Sequence, residues 1–225
     1  MTVVYEDNHM LIVDKAASEI VQGDKTGDTP LSETVKTYLK ARYAKPGNVF
    51  VGVVHRLDRP VSGLVLFAKT SKALSRLNEM FRNGEVQKTY WAIVKNRPDE
   101  QEADVIHYLV RNEKQNKSYA YDEEVPRSKK AILHYKVVGR SKNYYLLEVN
   151  LMTGRHHQIR CQLAKIGCPI RGDLKYGALR SNPDGSIGLH ARSMTFVHPV
   201  SKKTIAVTAP VPAGTLWNGF VGESP

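Results

Sequence analysis

Residues 49–68 read Val49-Phe50-Val51-Gly52-Val53-Val54-His55-Arg56-Leu57-Asp58-Arg59-Pro60-Val61-Ser62-Gly63-Leu64-Val65-Leu66-Phe67-Ala68. Two apolar runs, 49–54 and 64–68, bracket a polar stretch. Short apolar runs bounded by turn residues are the pattern of buried strands. Pro60 and Gly63 mark the stretch between them as a loop. Loops held on rigid strands are where catalytic groups concentrate. Asp58 is the only acid between Glu33 and Glu79, and nine Lys or Arg residues share that window. A carboxylate among cations favours its charged form. Asp58 is therefore either a clamp for Arg56 or Arg59, or a nucleophile.

The rest of the chain narrows the class. It has 225 residues, 33 Lys and Arg, and 22 Asp and Glu, for a net charge of +11. That balance suits a polyanion, nucleic acid above all, and suits equally a basic surface without a partner. Cys161 and Cys168 form no Cys-x-x-Cys or Cys/His ligand pattern, so neither zinc nor a disulfide scaffold is expected. Residues 1–14 lack the basic and unbroken apolar parts of a signal peptide, and no apolar run approaches a membrane span. The sequence reads as a cytoplasmic protein that makes no membrane contact.

Strands are expected at 3–5 and 10–13, joined by a turn, and again at 88–94, 131–138, 144–151, 193–198 and 204–208. A helix capped by Thr29 should carry Leu31, Val35 and Leu39 on one face. A second, capped by Ser71, should carry Leu74, Leu77 and Phe81 and stop at Gly84. A third should follow Thr153-Gly154, bury Ile159, Leu163 and Ile166, and stop at Gly167. Residues 95–104 and 111–130 read as surface segments. Strands outnumber helices without regular alternation, which implies an α+β fold, a mixed sheet flanked by a few helices. A single domain over residues 1–225 is the simplest organisation.

Two further segments could carry chemistry. Residues 149–172 contain no acid but include Arg155, Arg160, Lys165 and Arg171. On a helix, His156 and Arg160 would share a face. A helix N-terminus with arginines can hold a phosphate, whereas the bland reading is a solvated basic face. Adjacent His156 and His157 make a poor metal pair. Tyr90, in Lys88-Thr89-Tyr90, could stack on a base or donate its hydroxyl, or simply pack in the core.

Together these segments resemble the RluA family of pseudouridine synthases. The family loop His-Arg-Leu-Asp-x-x-Thr/Ser-Ser-Gly stands here as His55-Arg56-Leu57-Asp58-Arg59-Pro60-Val61-Ser62-Gly63. Lys/Arg-x-Tyr matches Lys88-Thr89-Tyr90. Thr-Gly-Arg-x-His-Gln-Ile/Leu-Arg matches Thr153-Gly154-Arg155-His156-His157-Gln158-Ile159-Arg160. The three occur in the family's order. Val61 departs from the usual Thr and loses a hydroxyl. The S4-type RNA-binding domain of many relatives is not expected, because the chain opens on the strand at Val3.

The resemblance implies a mainly antiparallel sheet with a catalytic cleft across it, and isomerisation of uridine to pseudouridine in ribosomal large-subunit RNA or tRNA. Asp58 would attack C1′ or help remove the C2′ proton. Arg160 would hold that carboxylate ionised and oriented, and Tyr90 would stack on the target base. Arg56 would enter the RNA stack as the uridine flips out, with His55 and Arg155 also at the RNA. No cofactor or metal is implied, and a monomer suffices. The loop over 111–130 is a candidate for substrate selection. The alternative is a catalytically silent basic RNA-binding protein; a nucleoside glycosidase, releasing uracil, is a third reading.

Overall fold

The computed structural model describes residues 1–221. In chain order its elements are β1 (Thr2–Glu6), β2 (Met10–Lys15), α1 (Leu31–Arg42), β3 (Gly52–Val53), β4 (Ser62–Ala68), α2 (Ser71–Arg82), β5 (Gln87–Val94), β6 (Glu102–Asn112), β7 (Lys117–Tyr121), β8 (Lys129–Arg140), β9 (Tyr145–Leu151), α3 (Gln158–Lys165), a 3-10 turn (Leu174–Tyr176), β10 (Leu189–Val197), β11 (Thr204–Thr208) and α4 (Thr215–Val221). They fall into two compact units. The first comprises Met1–Gln87 with Ala191–Pro210; the second comprises Lys88–His190 with the segment from Val211.

In the first unit the strands lie in the order β1-β2-β4-β10, with β11 on β10 and β3 on β4. Every residue of β4 is buried, as its unbroken apolar run requires. Met10, Ile12, Leu64, Leu66, Leu77 and Phe196 form the centre of the core beneath α2. The apolar run at 49–54 gives only a two-residue strand. β2 occupies one edge of β4 along its length and β10 neighbours the other, so β3 pairs only at Gly52↔Ala68 and Val53↔Phe67, and Phe50 stays 45% exposed.

Helix α1 buries Leu31, Val35 and Leu39, the face its spacing indicates. Its cap is Pro30 rather than Thr29, and the carbonyls of Ile20 and Val21 accept the Leu31 and Ser32 N–H groups instead of a side chain. Helix α2 is capped by Thr70, one residue before Ser71, through the Ala73 N–H. Its face centres on Ala73, Leu77 and Met80, with Leu74 and Phe81 only partly buried.

In the second unit the order is β5-β9-β8-β6-β7, and each neighbouring pair is antiparallel. The segment at 111–130 lies at the surface as expected, but it is not irregular. It contains the β6–β7 hairpin, paired from Tyr108↔Tyr121 to Asn112↔Lys117. Its alternation escapes notice because the inward residues, Ser118 and Ala120, are small, while Tyr119 and Tyr121 face water. Helix α4 was not foreseen either; its Trp217 and Phe220 pack with Ile93 and Leu146. Among the described residues no helix is long and apolar enough to cross a membrane. Cys161 and Cys168 are buried and free, and burial pushes each thiol up to about 11.

Candidate active site

The first unit carries His55, Arg56 and Asp58 on one loop between β3 and β4. A turn closed by the Val61 N–H on the Asp58 carbonyl (3.0 Å) sets its shape. Behind Asp58, the Arg59 carbonyl accepts from the Ser18 N–H at 2.8 Å and from Lys15 Nζ at 3.2 Å. Lys15 is fully buried at the end of β2, and its ammonium also donates to Ala16 O. Burial lowers its pKa to about 8 against the opposing attraction of Glu19 and Asp58. The Arg59 guanidinium turns to Asp28 (2.6 Å), Asp24 (3.7 Å) and Thr26 Oγ1 (2.8 Å). Arg59 is thus paired with the segment before α1.

His55 Nε2 accepts the Leu66 N–H at 3.0 Å, and its ring stacks on Phe81 with centroids 4.9 Å apart. The imidazole fastens the loop to β4. Arg56 is exposed and Asp58 half-buried. Gly63 has φ +110, and a Cβ there would lie 2.3 Å from the Ala191 carbonyl oxygen. Only glycine fits the end of this loop.

The second unit carries Tyr90, Arg155 and Arg160. Tyr90 is buried on β5, in register with Val149 of β9. Lys88 lies beside the third motif: a Cβ on Gly154 would sit 3.9 Å from its ammonium, and burial lowers the lysine's pKa.

Helix α3 does not follow Thr153-Gly154 directly. It starts at Gln158, after His157 in the left-handed region at φ 51. The reason is a tight turn built by the motif itself. Thr153 Oγ1 accepts the Ile132 N–H (2.9 Å) and donates to Gln158 Oε1 (2.8 Å). Gln158 Oε1 also accepts the Arg155 N–H (2.9 Å), while Gln158 Nε2 donates to the Ile132 carbonyl (3.1 Å). His156 therefore precedes the helix and shares no helical face with Arg160. The first six residues of α3 are buried, so the solvated basic face is also excluded. Arg155 is exposed and its Nε donates to the Lys130 carbonyl. Arg160 is 5% exposed and forms a bidentate pair with Asp173, Nε to Oδ2 at 2.7 Å and Nη2 to Oδ1 at 2.9 Å.

The family model described as RNA pseudouridylate synthase matches residues 9–165, which include Asp58, Tyr90 and Arg160. The chain belongs to the RNA pseudouridine synthases. It is 32% identical over 222 residues to the ribosomal large subunit pseudouridine synthase D of Zymomonas mobilis, covering 94% of this chain and 69% of that one. It is 31% identical to the ribosomal large subunit pseudouridine synthase C of Buchnera aphidicola, covering 93% of this chain and 66% of that one. The chain thus spans about two thirds of the length of both. An uncharacterized RNA pseudouridine synthase, also from Zymomonas mobilis, is 31% identical with 97% of both chains covered. The solved structure titled human RNA pseudouridylate synthase domain containing 4 shares the fold, with TM-score 0.78 at 21% identity over 94% of this chain and 88% of that one. The α+β reading and the mainly antiparallel sheet hold for the synthase.

Three residues that support these side chains within their own units escape a motif search: Lys15, Asp173 and Tyr176. For Asp173 the signal exists. It is the acid that ends the acid-free stretch at 149–172, and a buried arginine there needs a carboxylate from somewhere. Lys15 ends a strand in a sequence full of lysines, and nothing local marks its burial. Among the described residues, no three His, Cys, Asp or Glu side chains gather to hold a metal.

Proposed function

We propose that the protein converts specific uridines of large-subunit ribosomal RNA to pseudouridine, with Asp58 as the reacting carboxylate. The observation that carries this reading is the family match across one segment containing all three motifs, each in a built local setting. The large-subunit target is drawn from the names of the two relatives at 31–32% identity. The net charge of +11 suits an RNA partner.

In the reaction the N1–C1′ bond breaks, the uracil turns, and C5 bonds to C1′. Nothing is hydrolysed and no electrons leave, so the chemistry calls for neither cofactor nor metal. A single carboxylate suffices, by attack on C1′ or by removal of the C2′ proton. Arg160 acts as the cation for the Asp58 carboxylate during the reaction. Tyr90 stacks on the target base. Arg56, exposed on the Asp58 loop, fills the RNA stack as the uridine turns out; flipping costs a few kcal/mol, which a stacked guanidinium offsets in part. Arg155 meets phosphate, and His55 keeps the loop in place. Residues 1–225 act as one catalytic domain, in one copy, in the cytoplasm. The hairpin within 111–130 contributes to substrate choice.

The test is base-resolution mapping of pseudouridine in cells with the gene, without it, and with Asp58→Asn. Specific large-subunit sites should disappear in both mutant strains, while the Asp58→Asn protein still binds that RNA. Loss confined to tRNA would move the target. Unchanged maps in both strains would leave only the silent RNA-binding reading, and free uracil as product would establish the glycosidase.

A further inference from the structure

Arg160 is held by a device that the three motifs do not include. Asp173 is 1% exposed and sits between Gly172 and the 3-10 turn Leu174–Tyr176. Gly172 has φ +87 and fits tightly against the Ser186 carbonyl, where a Cβ would come within 2.8 Å. The Asp173 carbonyl accepts the Tyr176 and Ala178 N–H groups at 3.1 and 3.0 Å. The carboxylate is thus fixed by its own backbone before it meets the arginine. Its two oxygens take Nε–H and one Nη2–H of Arg160. A fork of this kind sets the plane of a guanidinium as well as its position.

Tyr176 completes the setting. Its ring centroid lies 5.1 Å from Arg160 Cζ, in cation–π range. Its hydroxyl accepts the Ser118 N–H at 2.8 Å and shares a hydrogen bond with His157 Nδ1 at 2.9 Å. Burial raises the phenol well above its ordinary range, so the hydroxyl stays protonated. Ser118 in turn donates its hydroxyl to the His156 carbonyl at 2.8 Å. The turn before α3, the edge strand β7 and the 3-10 turn are therefore locked around one guanidinium.

Stability alone does not call for this arrangement. A buried ion pair recovers little beyond its desolvation cost, and apolar residues of the same volume commonly hold a core as well. An apolar pair cannot present the remaining N–H donors of a guanidinium in a fixed plane. We infer that Asp173 is a positioning residue for Arg160, with the ring and hydroxyl of Tyr176 as the second support. The inference rests on the reading of Arg160 as the cation that serves Asp58.

The test uses large-subunit RNA from a strain lacking the gene as substrate, and follows pseudouridine formation with Arg160→Lys, Asp173→Asn, Tyr176→Phe and the doubles Arg160→Lys/Asp173→Asn and Arg160→Lys/Tyr176→Phe. Asp173→Asn keeps the size and one acceptor but loses the charge and the second oxygen. Misplacement of an essential group by about 1 Å costs on the order of 100-fold in rate. The expected result for Asp173→Asn is a kcat loss of that order, with KM for the RNA within about twofold and cooperative thermal unfolding retained. Added to Arg160→Lys, the same change should lower kcat no further, because no guanidinium is left to orient. Tyr176→Phe should lower kcat by roughly tenfold, on the same principle, with the same non-additivity. Should Asp173→Asn fail to fold, Tyr176→Phe and its double decide the matter. Wild-type kcat in Arg160→Lys would overturn this inference, since no oriented guanidinium would then be needed, and would leave the reading of Arg160 as a cation standing. An impaired Arg160→Lys beside a folded Asp173→Asn of wild-type kcat, or losses that multiply in the double, would overturn this inference alone.

Discussion

The Asp58 loop and the turn before α3 both deliver a charged side chain, and they are built in opposite ways. The loop is held from its flanks. A buried lysine and a backbone N–H grip the Arg59 carbonyl, an imidazole pins the strand, and the visible ion pairs, Arg59 with Asp28 and Asp24, lie near the surface. The turn is held from inside. Gln158 and Thr153 tie the turn to itself and to Ile132, and Asp173 and Tyr176 enclose the buried Arg160 guanidinium. The loop leaves Asp58 half-buried, whereas the turn and its supports leave Arg160 only 5% exposed. Exposed arginine pairs are therefore poor guides to what holds a loop.

The comparison breaks first at Gln158. Replacing it with alanine removes three hydrogen bonds and leaves the Arg155 N–H without its side-chain acceptor. At roughly 1–1.5 kcal/mol per bond, Gln158→Ala should destabilise the fold by about 4 kcal/mol in urea unfolding, with loss of activity. A change within 0.5 kcal/mol would mean that the turn is not held from inside.

The loop offers a pH test through Lys15. Its folded-state pKa of about 8 lies below the ordinary value of 10.5. The fold therefore binds this proton less tightly than the unfolded chain, and the penalty for charging it is in full force below pH 8. As pH rises from 8 to 10.5 the penalty fades, so the wild type should gain about 3 kcal/mol relative to Lys15→Met over that window. Parallel stability–pH curves for the two proteins would show that the lysine is not desolvated behind the loop.

The smallest effect is expected at Arg59. Arg59→Ala removes a solvent-exposed network with Asp24 and Asp28. Its melting temperature should stay within measurement scatter of the wild type, and raising the salt should erase any difference. A marked drop in melting temperature would promote the surface clamp over the buried anchors.

Much of this was legible in advance. The unbroken apolar run at 64–68 marks a strand buried on both faces, and β4 is one. The four-residue spacing of Leu31, Val35 and Leu39 locates the buried face of α1. Errors fall where tertiary contacts replace local signals. Backbone carbonyls from Ile20 and Val21 cap α1 in place of Thr29. The hairpin of β6 and β7 hides behind small inward residues and a polar composition. The start of α3 is delayed because Thr153 and Gln158 bond to each other and to Ile132.

By itself the sequence determined the chemistry available: one isolated carboxylate in a loop, a tyrosine on a strand, an arginine in an acid-free stretch, and an order of motifs that identifies the family. These are properties of residue type and short spacing, which a linear chain displays openly. Only the tertiary structure decided what holds each group. Burial turns Lys15 from one basic residue among 33 into the anchor behind Asp58, and it makes Asp173 the obligatory partner of Arg160. A charge in water needs no particular neighbour, whereas a charge removed from water must be matched at hydrogen-bond distance by a group the fold brings to it.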